Sequence, residues 1–309
     1  MKCGYVALIG RPNVGKSTLI NNLLGRKVSI ISDKPQTTRI NILGIKTTDQ
    51  GQIIFIDTPG IHRPLHKLNK RMMDFVESTL ETSDLICLLI DATQSFGHGD
   101  AFVVETLKKI STPIFLLINK IDIIKKESLL PLIDKYQSLL DFKEIIPISA
   151  LRGTNLPLLE EKIYDYLPES EKLYDDNFIS VQSQKFLIAE IIREKILYHV
   201  RDELPYVTAV YVDYLDGDSG PTALTEDPTT PRPAPEKKVK HIRATIFVEK
   251  DNHRKIIIGR RGQMIKTIGR QARQELEFIL GTKIFLDLRV KVKEKWRDSP
   301  HLLDLIEQQ

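Results

Sequence analysis

The sequence predicts an α/β chain in two parts. A doubly wound, mostly parallel sheet occupies residues 1–168, and a smaller α+β domain occupies residues 181–309, with a linker at 169–180 between them. Three observations carry this. Five short apolar runs alternate with helical stretches from Tyr5 to about Leu167, the βα rhythm of an open sheet covered on both faces. Each run ends in a short motif or acidic residue, at the carboxyl end of a strand where such sheets place ligands. Beyond Ser183 the rhythm changes to helix, two alternating strands, two helices and a strand.

The first strand, Tyr5-Val6-Ala7-Leu8-Ile9, runs straight into Gly10-Arg11-Pro12-Asn13-Val14-Gly15-Lys16-Ser17, with Thr18 opening the helix to Leu24. This is G-x-x-x-x-G-K-[ST] between a strand and a helix, the context a phosphate loop requires. Its glycines let the backbone curl so that N–H groups face phosphate oxygens, and the helix adds the positive end of its dipole. Lys16 is placed to reach the β- and γ-phosphates and Ser17 to ligate Mg²⁺. The ligand class is a nucleoside triphosphate.

The second run, Gln52-Ile53-Ile54-Phe55-Ile56, ends in Asp57-Thr58-Pro59-Gly60. Asp57 is suited to hold Mg²⁺ through water, and the Gly60 N–H to meet a γ-phosphate. The third, Leu85 to Ile90, ends at Asp91; the fourth, Ile114 to Ile118, ends in Asn119-Lys120-Ile121-Asp122. A carboxylate at Asp122 accepts from both N1–H and the 2-amino group of guanine. Adenine offers neither donor there, so Asp122 selects GTP over ATP. The fifth run, Ile145 to Ile148, leads to Ser149-Ala150, where a backbone N–H meets the guanine O6. The closing helix, Leu156 to Leu167, carries Leu159, Ile163 and Tyr164 at helical spacing.

The second part opens with a helix from Ser183 to Asp202, with Phe186, Ile188, Ala189, Ile192, Ile196 and Leu197 on its apolar face. Tyr206 to Tyr214 and His241 to Glu249 alternate as strands. Between them, residues 216–236 are rich in Pro, Gly, Thr and Asp and read as a flexible insertion, either a contact loop or a tolerated surface extension. Ile257-Ile258-Gly259-Arg260-Arg261-Gly262 then sits between basic neighbours, and a helix from Gln263 to Leu280 and a strand from Lys283 to Val292 follow. Glycines here let a sugar–phosphate chain approach the main chain. Lys255, Arg260, Arg261, Lys266 and Arg270 supply charge, while Ile256, Ile257 and Ile265 pack the helices and floor the bases. Trp296 either stacks on a base or anchors a terminal helix.

Composition supports the division. Net charge is only +4, but from Glu236 onward Lys and Arg number 18 against 10 Asp and Glu, leaving 27 against 31 before it. A basic second part fits a polyanion partner or a solvated surface. No run approaches membrane-span length, and Met1 to Gly4 lead straight into the first strand without a secretory signal. Cys3 and Cys87 offer neither zinc spacing nor a disulfide framework, which fits a reducing cytoplasm.

In this order the phosphate loop, DTPG, NKID and ISA motifs resemble the translation-factor-related GTPases. Pro35-Gln36-Thr37-Thr38-Arg39 and Asp57-Thr58-Pro59-Gly60-Ile61-His62 narrow the resemblance to the Era family. It implies a Ras-like GTPase domain followed by a type II KH domain, with the residues above as the GTP/GDP site and Ser17, Asp57 and one switch threonine, Thr37 or Thr38, at Mg²⁺. Of the two threonines Thr38 is preferred. A threonine there gives a switch ordered by triphosphate and released on hydrolysis. Asn13 resembles the potassium-ligating Asn of related GTPases, making K⁺ a candidate second cation. Lys16, Ser17, Thr38 and Gly60 are the residues expected to carry hydrolysis. The resemblance further implies a monomer that binds the 3′ end of small-subunit (30S) ribosomal RNA and takes part in 30S assembly, with weak peripheral association to the inner face of the cell membrane. Two other functions stay open on the residues: an RNA-binding module for which GTP is only an ordering ligand, and a membrane signalling GTPase with a basic tail. Ile61 stands where Ras-type enzymes place a water-orienting Gln, so no general base is assigned.

Overall fold

The structure, a computed structural model, describes residues 1–34, 36–61, 66–217 and 239–309. The insertion expected over 216–236 lies outside the described residues from 218 onward, as do Pro35 and His62. Contacts divide the chain into two compact units, Met1–Leu65 with Asn69–Ser180, and Val181–Gln309 with His66–Leu68.

In the first unit β1 (Lys2–Gly10) feeds α1 (Lys16–Leu24), followed by β2 (Ile42–Thr48), β3 (Gly51–Asp57), α2 (Lys67–Thr82), β4 (Leu85–Asp91), α3 (His98–Leu107), β5 (Ile114–Asn119), α4 (Leu129–Gln137), β6 (Glu144–Pro147) and α5 (Leu156–Tyr166). The six strands lie in the order β2-β3-β1-β4-β5-β6. All neighbours are parallel except β2, which pairs antiparallel with β3 at one edge. Strands covered on both faces have no reason to alternate, and β3, β4 and β5 are buried at every residue. Ile86, Leu88, Leu116 and Ile118 pack one face against Val76 and Leu80 of α2 and Val103 and Leu107 of α3. The chain moves from β1 outward to β3 on one side and β4 on the other. The carboxyl end of β1 is therefore the switch point where such sheets open a crevice, and the G-x-x-x-x-G-K-S loop sits there.

The segment after α5 is stitched along the same unit. The Ile45 N–H donates to Ile179 O at 2.8 Å and the Ser180 hydroxyl to Leu43 O at 2.9 Å, along the outer edge of β2. Fully buried Gln52 accepts from the N–H groups of Leu173 and Tyr174, both at 3.0 Å, and donates to Tyr174 O at 2.8 Å.

The second unit runs α6 (Gln184–His199), α7 (Leu204–Val207), β7 (Ala209–Leu215), β8 (Lys240–Val248), α8 (Asp251–Ile258), α9 (Gln263–Leu280), β9 (Ile284–Val292) and α10 (Pro300–Glu307). Ser183 caps α6, its hydroxyl accepting from the Phe186 N–H at 3.0 Å. The expected apolar face of α6 is buried, together with Leu187 and Ile191, so this helix is core on more than one side. β8 pairs antiparallel with β7 and parallel with β9. The strand expected from Tyr206 begins instead at Ala209. Pro205 stands in the first turn of α7, where its missing N–H costs nothing, and the residues before Thr208 coil. Trp296 is 1% exposed and donates its indole N–H to Val207 O at 2.8 Å, so it is an anchor and not a stacking platform. Among the described residues no helix is long and apolar enough to cross a membrane.

Candidate functional site

The phosphate loop is held in a shape that ordinary residues resist. Gly10 and Gly15 take φ of 153° and 105°, and Asn13 sits left-handed at 65°. A Cβ on Gly10 would lie 2.4 Å from Leu89 O, and one on Gly15 2.2 Å from the Asn119 amide nitrogen. Both glycines are therefore required by close approach as well as by φ. The Lys16 ammonium is buried inside the loop and donates to Gly10 O at 3.2 Å and Arg11 O at 3.0 Å. Arg11 is tied to Asp100 on α3 by a 2.8 Å ion pair.

Around the head of α1 the expected Mg²⁺ residues converge. The Ser17 hydroxyl donates to Asp57 Oδ2 at 2.7 Å and lies 3.1 Å from the Thr38 hydroxyl, which is 3.4 Å from the same oxygen. Ser29, which sequence reasoning did not single out, donates to that oxygen at 2.7 Å. Asp57 Oδ1 is buried and has no hydrogen-bond partner among the described residues. A buried carboxylate oxygen with nothing to accept, beside two hydroxyls, is a donor set for a hard oxygen-seeking cation, and it fits Mg²⁺. Burial pushes the Asp57 carboxyl above the usual range, opposed by Lys16 and the three hydroxyls. Of the two threonines, Thr38 is the one at this cluster; the Thr37 hydroxyl turns back to Lys34 O at 2.6 Å. Thr58 is fully buried and donates to Leu8 O at 2.7 Å, holding the turn after β3. That turn brings Gly60 against the phosphate loop, where a Cβ would meet Pro12 N at 2.7 Å.

Burial also pulls the Lys16 ammonium down to about 8, with Asp57 acting against it. A polyphosphate binds the charged lysine better. In the free protein that charge is mostly present below about pH 8 and lost above it, and a bound nucleotide keeps it. Nucleotide affinity should therefore fall about tenfold between pH 7 and pH 9, with proton uptake on binding that rises from about a tenth of a proton at pH 7 to nearly one at pH 9. Titration of a fluorescent GDP across that range checks this, and a flat profile contradicts it.

The base-recognition motif is knitted into the same loop. The Asn119 side chain donates to Val14 O at 2.7 Å and accepts from the Ala150 N–H at 2.8 Å. The Lys120 ammonium donates to Asn13 O at 2.9 Å and to Asp91 at 2.6 Å. Asp122 is exposed, and buried Ser149 orients it by donating to Oδ1 at 2.6 Å. The Ile121 N–H donates to Ile148 O at 3.3 Å. A cleft of about 350 Å³ runs between these parts, bordered by Asn13, Lys16, Thr18, Thr38, Gly60 and Lys120. Ile61 is 2% exposed and buried in the core, so its side chain does not reach the cleft.

In the second unit Gly259 and Gly262 both take φ of 73°, and Arg261 between them 52°. A Cβ on Gly259 would lie 2.5 Å from the Met264 Cβ, so that glycine permits close packing of α8 on α9. Arg260 and Arg261 are exposed at the turn. Lys255 is exposed and paired with Asp251 at 3.1 Å. Lys266 and Arg270 border a groove of about 440 Å³ between α9 and β9, with Arg273, Ile265, Phe285 and Leu288. One expectation is corrected. Ile257 is fully buried in the core and offers nothing to a nucleic acid, whereas its neighbour Ile256 is 49% exposed.

Residues 5–120 match the family described as 50S ribosome-binding GTPase, and residues 231–297 match the KH domain family. Two solved structures match nearly the whole chain. A point variant of Aquifex aeolicus Era bound to GDP·AlF4⁻ is 42% identical, covering 99% of each chain with a TM-score of 0.89. Era in complex with MgGDPNP and nucleotides 1506–1542 of 16S ribosomal RNA is 42% identical, covering 99% of this chain and 98% of that one with a TM-score of 0.90.

Proposed function

The chain belongs to the Era family of GTPases, and from that premise we propose that it couples GTP binding and hydrolysis to recognition of single-stranded small-subunit ribosomal RNA during 30S assembly. The broader family description speaks of the 50S subunit. The relative bound to 16S RNA matches the whole chain, KH domain included, and it carries more weight here.

The reaction is GTP + H₂O → GDP + phosphate. Lys16 and the loop backbone hold the β- and γ-phosphates, and Gly60 approaches the terminal phosphate from the turn after β3. Ser17, Thr38 and Asp57 would hold Mg²⁺, which would supply neutralisation of the charge developing on the phosphate oxygens. Rate enhancement then comes from positioning and charge, since buried Ile61 leaves the attacking water without an orienting side chain at that position.

A single observation carries the nucleotide assignment: one cleft is bordered by Lys16, Ser17 and Thr38 and also by Lys120, two residues before Asp122, whose carboxylate Ser149 steers. Asp122→Asn should weaken GTP at least tenfold and improve xanthosine triphosphate, whose 2-oxo group seeks a donor. Competition binding with both nucleotides measures it, and unchanged GTP affinity contradicts the assignment.

Two finer parts of the reading rest on the family resemblance. Asn13, left-handed and held through its carbonyl by Lys120, is the candidate K⁺ ligand. Turnover should then be several-fold faster in KCl than in NaCl, and equal rates remove K⁺ from the account. Peripheral membrane association is tested by flotation with anionic vesicles, where absence from the vesicle fraction rejects it.

A further inference from the structure

The three-stranded sheet of the second unit has a face opposite the one that carries Ile242, Ala244 and Ile246 into the core. Register places His241 beside Phe285, Arg243 beside Asp287 and Thr245 beside Arg289 on that outer face. The His241 and Phe285 rings lie 5.3 Å apart, tilted by 38°, and Phe285 is 57% exposed. Arg243 and Arg289 both hold Asp287, each at 3.2 Å, so the trio keeps one net positive charge, and Lys291 beyond it is exposed. Two carboxylates reach β8 from the β7 side: Asp213 accepts from the Thr245 hydroxyl at 2.7 Å and Asp216 from the His241 N–H at 2.9 Å, which leaves the positive charge of this face on the β9 side. A large aromatic left open on an edge strand invites unwanted association unless it has an occupant.

Phe285 also borders the groove between α9 and β9, where Lys266, Arg270 and Arg273 lie. The groove and the outer face thus meet at the edge of β9, with basic side chains on both sides and a stacking ring at the crossing. We propose that single-stranded RNA held at the Gly259–Gly262 turn continues around the β9 edge and stacks one or two further bases on the His241–Phe285 pair, with Arg243, Arg289 and Lys291 meeting its phosphates. The inference rests on the RNA-binding reading above and lengthens its track. A G-x-x-G turn clamps about four nucleotides, and exposed aromatics on a sheet face stack two or three bases in other RNA-binding folds.

The test compares 4-nucleotide RNAs with 8-nucleotide RNAs extended at either end, titrated against the full chain. Stacking one base on an aromatic side chain is worth about tenfold or more. One of the extended RNAs should therefore bind the unaltered protein about tenfold tighter than the 4-mer. The double variant His241→Ala/Arg289→Ala, neither residue bordering the groove, should lose that increment and keep its 4-mer affinity. His241→Phe should retain the increment, which separates stacking from charge. Thermal melts confirm that each variant is folded. No gain from either extension, or a gain that survives the double variant, overturns the proposal. If Arg260→Asp/Arg261→Asp binds the 4-mer as the unaltered protein does, the clamp reading itself fails, and the longer track fails with it.

Discussion

Asp57→Asn should give a folded protein that hydrolyses GTP at least about a hundredfold more slowly and no longer responds to Mg²⁺. Oxygen Oδ2 of Asp57 already accepts from Ser17, Ser29 and Thr38, and Oδ1 has nothing to accept among the described residues. An amide in its place carries no charge and directs a donor where the cation needs an oxygen. A hundredfold corresponds to about 2.7 kcal/mol of barrier, well within what a bound metal supplies. Stability should move the other way. A carboxyl raised by burial is held least comfortably in its ionised form, so the metal-free fold carries a penalty as pH rises above the carboxyl's unfolded value. Asn removes that penalty, and the chelated variant should melt at the same temperature as the unaltered protein or higher. Single-turnover hydrolysis and thermal melts, each with Mg²⁺ and with EDTA, measure both effects. A Mg²⁺ response equal to that of the unaltered protein would show that Asp57 is not a metal residue.

The parts legible in the sequence were those where a backbone shape and a chemistry require the same few residues in a row. The phosphate loop needs Gly10 and Gly15 for φ and close approach, and Lys16-Ser17 for charge and metal, so it is readable from eight letters. Asn119 and Asp122 follow a strand whose apolar run marks its own end. Ser29, Asp91, legible only as the end of its strand, and Asp100 carried no sign of their partners. Each is a single polar residue whose partner lies 28, 29 and 89 positions away, and only the folded sheet brings them to Asp57, Lys120 and Arg11. The misreading of Ile257 had a signal available. Helical phase sets Ile256 and Ile257 about 100° apart, so both could not face the same way; the burial of His253 and Ile257, four apart on α8, shows that Ile256 is the open one. Tyr206 illustrates the converse, since a Pro in the first turn of α7 overrode a pattern that alternated like a strand. The exposed ring of Phe285 became notable only once β9 was seen to be an edge strand and His241 to lie beside it in register.

The central claim is that one chain carries a guanine-nucleotide site and a separate RNA site, and the double variant Arg260→Asp/Arg261→Asp tests it most directly. Both side chains are exposed at the Gly259–Gly262 turn, so reversing their charge leaves the core packing of α8 and α9 untouched. Each phosphate contact removed from a single strand should flatten the log–log salt dependence by roughly 0.7, and two new carboxylates add repulsion. Lys16, Asp57 and Asp122 belong to the other compact unit. Filter-binding titrations of single-stranded RNA at several salt concentrations, with GTP titrated against the same preparation, give both readings at once. The account predicts no measurable RNA binding at physiological salt and unchanged GTP affinity. RNA affinity within about threefold of the unaltered protein, as for an ordinary exposed substitution worth under roughly 0.5 kcal/mol, would contradict it.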